Sequence, residues 1–585
     1  MAIHIQKRLM IGALVGMVCG VLWLILIMMS ESASGASSGV SGIAQGVLFL
    51  LGSVLLGAGY AGLFEVEGKD HVDHLMNGFV FGGLIWFVMG LMVTPFFYES
   101  ERSWQVAGVM TVMPQLVAYL LVGTLIGVAY GLLYARRGEK LGLLAAAVPL
   151  PTTKKQVVIL GGGYAGVTAA QVLEHELAND PTVNIWLVSK TNYLVHTPML
   201  SEVSASSVNA QNISPPLRSF FDRVRVVQGE VDRVDLAERM VYLSANSRAR
   251  SRELSFDHLL LTVGGVPNFY GNEDVANHSF TFKSLNDAIR LRNQVIEMFE
   301  NADIEDDRVQ RRKMLTFVVA GGGFAGVELI GGLNDFTRGI LPLYRNVQAE
   351  DLRLILVHSR SVILPELSES LGKFGQEKLA ERGVEFFLET RVTGAKTGAV
   401  IVRDKESGEV SEIPTNTFVW TAGNKPSPVI ATLGLPLTRR GKIEVNTELA
   451  VPDVSGIWAA GDCALIPDLT NEGNPAPPTA QHALREGKVA GYNIAASLKG
   501  KPLKTFKFKT LGLLAALGHQ LAVAELLGYR FSGFLAWVMW RAIYLSKLPT
   551  FERQLRVGLD WLLDFFFPAD IVQTIDFSEK MEIRE

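Results

Sequence analysis

Two nearly identical glycine clusters, Gly161-Gly162-Gly163-Tyr164-Ala165-Gly166 and Gly321-Gly322-Gly323-Phe324-Ala325-Gly326, constrain this chain more than any other feature. Each follows a short β-type run, Gln156 to Leu160 and Thr316 to Ala320, and each opens a helical pattern, such as Val167 to Leu177. This is the strand, glycine turn and helix in which the backbone closes on a pyrophosphate and the helix N-terminus faces its negative charge. One copy discriminates little. Two copies in the same setting imply two bound dinucleotides.

The chain around them is partly apolar in a way that soluble proteins are not. Hydrophobic residues make up 49% and charged residues 19% of 585 positions, a balance that argues against disorder and against a wholly soluble chain of several domains. Long apolar stretches run over 9–29, 43–64, 75–98 and 104–135, each reaching the ~20 residues that a helix needs to cross the hydrocarbon core. We therefore expect a four-span transmembrane module over 1–137. Its first stretch exceeds the ~7–15 apolar residues of a signal sequence and reads as a retained anchor.

Lys7 and Arg8 precede the first stretch, and Arg136, Arg137, Lys140, Lys154 and Lys155 follow the last. Positive residues mark the cytoplasmic face, so both ends lie there and the protein is expected to be multi-pass in the cell membrane with its catalytic part in the cytoplasm. Gly12, Gly16 and Gly20, and again Gly123, Gly127 and Gly131, recur at every fourth residue. Such faces let helix backbones approach closely, within the chain or across a homodimer. His71 and His74, in an acidic loop, could share a helical face and hold a metal. A solvated loop explains them as well, and no metal is expected. No span carries the buried acid or base of an ion pathway.

Lys and Arg number 54 against 58 Asp and Glu, which gives no basic field for nucleic acid. Cys19 and Cys463 are the only cysteines, too few for a disulfide framework or a four-thiolate metal site and too far apart in sequence for a CxxC dithiol centre. Redox chemistry in this chain needs a borrowed cofactor.

Residues 138–153, with Pro149 and Pro151, read as a linker, and alternating strand and helix patterns of an α/β domain follow. Ser455 to Asp462 ends a strand in Gly461-Asp462, and Pro477-Pro478-Thr479-Ala480-Gln481 opens a helix soon after. Here the chain resembles the pyridine-nucleotide-dependent flavoproteins. That resemblance implies that Asp462 meets the flavin ribityl chain and that the helix from Ala480 faces the flavin carbonyl edge, where reduction places negative charge. It further implies two Rossmann-like domains, with an NAD(P)H-binding domain (310–430) inserted in an FAD-binding domain (154–309 and 431–505). Gly161, Gly163, Gly166, Ser189, Lys190, Pro198, Gly264, Gly461, Asp462, Ala480 and Gln481 would serve FAD. Gly321, Gly323, Gly326, His358, Arg360 and Gly423 would serve NADH or NADPH.

Within that group, 154–580 is similar to the type II, non-proton-pumping NADH:quinone oxidoreductases. The matching stretches are Asn192 to Leu200 with Glu202-Val203, Phe256 to Gly265, Gly323 to Leu329, Ala480 to Ala483, Gly533 to Trp537 and Asp560 to Phe565. Disulfide reductases and sulfide:quinone reductases carry a cysteine pair that is missing here. The resemblance implies hydride transfer from NAD(P)H to FAD and then two electrons to a membrane quinone, with Gln481 between flavin and quinone. It puts Glu328 on the nicotinamide side, in reach of proton traffic; the residue is equally an ordinary acid in the first turn of a helix.

The tail 506–585 also reads physically as membrane-associating. Phe531 to Leu545 is apolar but only ~15 residues long and interrupted by Arg541, too short to span and suited to lying in the interface. Leu555, Leu559, Leu562, Leu563 and Phe566 then share one helical face, which fits lipid contact or a hairpin packed on the protein's own core.

Three positions depart from the family. The first unit's second strand ends Ser189-Lys190 rather than in an acid for the ribose. The second unit carries His358-Ser359-Arg360 there, the arrangement that accepts the 2′-phosphate of NADPH or else plain surface polarity. Arg485 stands where the family has a second glutamine and could hold a quinone oxygen or exclude the usual quinone. Cys463 reads as a small buried filler. A flavoprotein with another acceptor, or a redox-sensing or scaffolding membrane protein, are the competing readings.

Overall fold

The computed structural model describes residues 10–19, 21, 52–61, 71–86, 116, 119–130, 132, 154–244, 252–471 and 474–573. The chain divides into two units, Met1–Val148 and Pro149–Glu585.

The described parts of the first unit are helical pieces, at 10–19, 52–61, His71–Trp86 and 119–130, one in each expected span. None of the described helices is long and apolar enough to cross a membrane, so the four spans 9–29, 43–64, 75–98 and 104–135 are not shown; the rest of each stretch lies outside the described residues. The same holds for the linker 138–153 and for the side chains of His71 and His74.

The glycine expectation meets a specific partner. A Cβ on Gly12 or Gly16 would strike the backbone of Gly57 or Ser53, and one on Gly78 or Gly82 that of Gly123 or Tyr119. Helix backbones thus meet pairwise within the chain. Tyr60 sets its ring edge-on to Phe81 (5.4 Å) and Tyr130 (5.5 Å) in the buried centre, while Leu55, Leu121 and Leu125 are exposed. Apolar side chains therefore face both inward and outward.

The second unit is built on two parallel sheets. In the first, Ile457–Ala459, His258–Leu261, Lys155–Leu160, Val183–Ser189 and Arg225–Gln228 lie in that order. In the second, the order is Val384–Phe387, Arg353–Val357, Thr316–Ala320, Thr417–Trp420 and Phe280–Thr281. In the second sheet Phe317, Val319, Leu354 and Leu356 pack on helices while Val318, Ile355 and Val357 pack on Ala395, Val400 and Ile413 of an antiparallel annex; with both faces covered, Val157 to Leu160 and Phe317 to Ala320 are continuous apolar runs, all buried. Each sheet also carries a three-stranded antiparallel annex, Val231–Asp235, Met240–Leu243 and Arg252–Ser255 in one and Thr390–Lys396, Ala399–Asp404 and Val410–Pro414 in the other.

The chain leaves the first domain along Gly265–Pro267 and returns antiparallel to it along Asn424–Pro426. Strand Phe280–Thr281 and the inner face of helix Leu285–Asp303 already belong to the second domain's sheet and core, because Leu291, Val295 and Phe299 pack with Phe317 and Leu329. The sequence-based start at 310 lies well inside that domain; its first elements are too short or too charged to announce a new sheet.

Last come an antiparallel sheet, Gly512–Gly518, Leu521–Leu526 and Tyr529–Gly533, and two helices, Phe534–Lys547 and Phe551–Asp564. Phe531 lies within the last strand, and the apolar helix begins at Phe534. Trp540, Val557 and Trp561 are buried on the inner face of this hairpin. Leu555, Leu559, Leu562, Leu563 and Phe566 are exposed with Phe534, Leu535 and Phe567, so the stripe seen in the sequence faces away from the protein's own core.

Candidate active site

The two glycine turns are alike in detail. Gly161 and Gly321 hold φ of +118° and +122°, which L-residues with a side chain avoid. A Cβ on Gly166 would overlap the Gly161 carbonyl, and one on Gly326 the Gly321 carbonyl. Gly163 and Gly323 stand at the helix starts of Tyr164–Glu176 and Phe324–Ile340 without any side-chain cap, so the first-turn N–H groups remain available to phosphate oxygens. Thr262 and Thr421 brace the turns in matching ways. Each hydroxyl donates 2.9 Å to the strand's last carbonyl, Leu160 or Ala320, and reaches the first glycine's carbonyl at 3.1 or 3.3 Å.

The two strand ends differ. Ser189 is buried against Gly162, and a Cβ there would meet its Oγ. Lys190 is exposed and pairs with Glu230 at 3.1 Å. In the second unit His358 lies against Gly322, whose N–H donates 3.1 Å to its Nδ1. The ring proton is thereby on Nε2, which is buried without a partner. Burial, then Arg360, holds its pKa below the ordinary value. Arg360 is exposed, and Lys405 nearby donates to the Ser359 carbonyl and to Glu389 (3.1 Å).

Gly461-Asp462 is held from three sides. The Gly461 N–H donates 2.8 Å to Glu486, a carboxyl that burial pushes up to about 7. Asp462 accepts 3.0 Å from the Asn424 amide and lies 3.5 Å from the Lys283 ammonium, which itself donates 2.6 Å to Asn424. The carboxylate is thus tied to a strand that crosses between domains and to the start of the inserted one. Helix Ala480–Leu498 begins beside it, with the Thr479 hydroxyl accepting from His482 N–H. It packs tightly on helix Tyr164–Glu176 because Gly487 and Gly491 leave room for Ala165 and Ala169. Cys463 is buried, bonds the Leu261 and Ala460 carbonyls at 3.3 Å, and is pushed up to about 12 by burial, which suits a filler and not a nucleophile. Gly264 and Gly423 turn the chain out of equivalent strands at φ of +65° and +91°, and Pro198 starts the turn Thr197–Met199 below the first site.

Gln481 and Glu328 lie 153 positions apart in sequence yet meet one strand, Gly512–Gly518. The Gln481 amide donates 3.0 Å to the Gly512 carbonyl; Glu328 accepts 3.1 Å from the Ala516 N–H. Four residues of extended chain set the two contacts ~13 Å apart. Glu328 also accepts 3.1 Å from the Trp540 indole, and burial, reinforced by nearby Glu202, pushes its carboxyl up to about 8. Arg485 turns elsewhere: its guanidinium donates 2.9 Å to the Gln481 carbonyl and stacks 4.3 Å from the centre of the Phe508 ring.

This geometry coincides with what similarity finds. A pyridine nucleotide-disulphide oxidoreductase family model matches residues 155–487, and an NDH2 C-terminal domain model matches 511–570. The demethylphylloquinone reductase of Synechocystis sp. is 31% identical, over 70% of this chain and 96% of its own length. The chain belongs to the type II NADH:quinone oxidoreductase family. A type II NADH:quinone oxidoreductase of Mycobacterium tuberculosis is 29% identical over 71% of this chain and 89% of its own. NDH2 of Plasmodium falciparum, solved in complex with NADH, shares the fold with a TM-score of 0.66 at 18% identity, over 72% of this chain and all of that one.

As a member of this family the chain is an oxidoreductase that works with FAD and a nicotinamide nucleotide. Its residues fit FAD: the first cradle has room only for glycine at 161 and 166, Asp462 offers acceptors, and Ser189 replaces the usual acid with a hydroxyl. Sequence reasoning missed Thr262, Thr421, Lys283, Asn424, Glu486 and Trp540. The two threonines had a signal, since Thr262-Val263-Gly264 and Thr421-Ala422-Gly423 repeat at nearly the same distance after the two turns, differing by one residue. The others are scattered and meet only on folding.

Proposed function

We propose that this chain oxidises NAD(P)H and passes two electrons to a membrane quinone without pumping protons, from a catalytic unit on the cytoplasmic side of the cell membrane. The observation that carries this reading is the strand Gly512–Gly518, which joins Gln481 to Glu328 and opens the small sheet that runs into a helical hairpin with an exposed apolar face. Bound FAD supplies the two-electron relay between nicotinamide and quinone. Gly161, Gly163 and Gly166 hold its pyrophosphate, and Asp462, steered by Asn424 and Lys283, takes its ribityl hydroxyls. Gln481 stands between flavin and quinone, and Glu328, neutral at physiological pH, holds a proton for a quinone oxygen that must be protonated as the quinol forms. Arg485 holds the Gln481 turn of the helix in place.

His358 favours NADPH as donor. Its fixed Nε2–H and the Arg360 cation are hydrogen-bond donors where NADH sites carry an acceptor, and a 2′-phosphate is the group that takes donors. The exposed leucine and phenylalanine face of the hairpin suits the lipid interface. Residues 1–137 anchor the protein through four spans; helical pieces in each apolar stretch, side chains apolar in both directions and glycine-lined contacts support it. Homodimerisation is compatible with this arrangement but not required by it.

The test is anaerobic stopped-flow reduction of the bound flavin by NADH and by NADPH, followed by a quinone chase. Bleaching by the nucleotide and recovery by the quinone are expected. A flavin that neither nucleotide bleaches, or that no quinone reoxidises, ends the proposal.

A further inference from the structure

Among the buried polar atoms without a partner is Nε2 of His196, in a residue only 4% exposed. Its other ring nitrogen, Nδ1, lies 2.9 Å from the Tyr164 hydroxyl. When the phenol donates that bond, the ring proton is left on Nε2. Burial keeps the ring neutral by holding its pKa down near about 4. His196 is therefore an uncharged, buried imidazole whose Nε2 has no partner in the protein, and the tautomer in which Tyr164 donates makes that nitrogen an N–H donor.

Other histidines with the same feature have an evident destination. His482 Nε2 belongs to a ring set edge-on to Phe508 at 5.0 Å, and His358 Nε2 sits at the nucleotide strand end. His196 has neither. Its ring meets Tyr544 edge-on at 6.1 Å, Tyr544 meets Trp540 at 4.8 Å, and Trp540 holds Glu328. The residues beside it, Tyr193, Val195, Met199 and Leu200, pack into the core of the C-terminal hairpin. The orphan donor lies between the first glycine turn, which supplies Tyr164, and the hairpin, which supplies Tyr544. A neutral N–H donor flanked by aromatic rings suits a flat, uncharged ligand carrying a carbonyl oxygen.

We propose that His196 Nε2–H is the hydrogen-bond donor to one carbonyl oxygen of the quinone, with the Tyr544 ring beside the quinone head. The proposal rests on the quinone-reductase reading and names a contact within it. His196 acts as a donor only, since a neutral imidazole does not surrender Nε2–H; the protons of the quinol come from elsewhere.

The test uses the full, FAD-loaded protein without NAD(P)H, titrated with a short-chain quinone while tryptophan fluorescence is followed. His196→Phe is expected to weaken quinone binding about tenfold, the value of one buried hydrogen bond, and His196→Gln, which keeps a donor, to recover most of it. Flavin content and flavin reduction by NAD(P)H should stay within about twofold in both. Unchanged quinone affinity in His196→Phe overturns the proposal. Loss of FAD with quinone affinity retained overturns it too, by assigning the donor to the flavin. Should His196→Phe not fold, the wild-type protein decides: infrared spectra of a quinone labelled at one carbonyl should show that stretch lowered on binding, and an unshifted pair of carbonyls rejects the contact. Failure of the quinone reading itself looks different, as a wild-type enzyme that turns over with no quinone.

Discussion

Trp540 and Glu328 are joined by a 3.1 Å hydrogen bond across 212 residues of sequence, the indole N–H donating to the carboxyl. A second bond of the same kind, from Trp561 to Glu202, ties the next helix to the first nucleotide domain, and the two indoles lie 6.4 Å apart. The apolar hairpin is thus latched onto both domains through carboxyls. Glu328 and the helices that carry the exposed apolar face thus share hydrogen bonds, so a change at one is felt at the other.

Glu328→Gln should slow quinone reduction by about 100-fold while slowing flavin reduction by NAD(P)H far less, because a positioned proton donor is lost and the fold is kept. Stopped-flow traces of each half-reaction check it; equal losses in the two halves would remove the proton role.

The same carboxyl makes stability depend on pH. Glu328 ionises near about 8 in the native chain against 4.5 as the model acid, so between those values the native state holds a proton that the unfolded chain has released. Its contribution is full below pH 4.5 and drains as the pH rises through about 8. Thermal unfolding of the wild type should therefore lose Tm across that window relative to Glu328→Gln. Parallel Tm curves would contradict the assignment.

Trp540→Phe keeps the ring and removes the N–H that lowers the Glu328 pKa. The alkaline limb of the quinone-reduction profile should move to higher pH, with a stability cost of about 1–2 kcal/mol. A limb that stays put means that Glu328 does not govern it.

Arg360→Glu should cut kcat/KM for NADPH by about 100-fold and leave NADH within severalfold, since a carboxylate repels a 2′-phosphate but accepts a ribose hydroxyl. Matched losses for both nucleotides would take the 2′-phosphate away from this strand end.

Asp462→Ala removes the acceptor that Asn424 and Lys283 hold in place. The purified protein should carry less FAD, read as the ratio of flavin to protein absorbance after gel filtration. Full retention of flavin would mean that the ribityl contacts lie elsewhere.

The amino-acid sequence by itself determined the two cradles and their spacing, because a turn that closes on a pyrophosphate admits only glycine and announces it locally. It also determined the Gly-Asp strand end, the lone buried cysteine and the apolar stripe of the last helix, all of them features of one short segment, but not that the stripe faces outward. The helix-to-helix glycines were legible too, although their partners, Ser53 and Gly57 for Gly12 and Gly16, were not.

Only the tertiary structure decided where the inserted domain begins, that Lys283 and Asn424 converge on Asp462, that Arg485 rests on Phe508, and that the His196 Nε2 is left buried without a partner. The physical reason is the same in each case. Burial and hydrogen-bond partnership are properties of a place rather than of a residue. Segments more than 100 positions apart must come together before a carboxyl is desolvated or an imidazole loses its choice of tautomer.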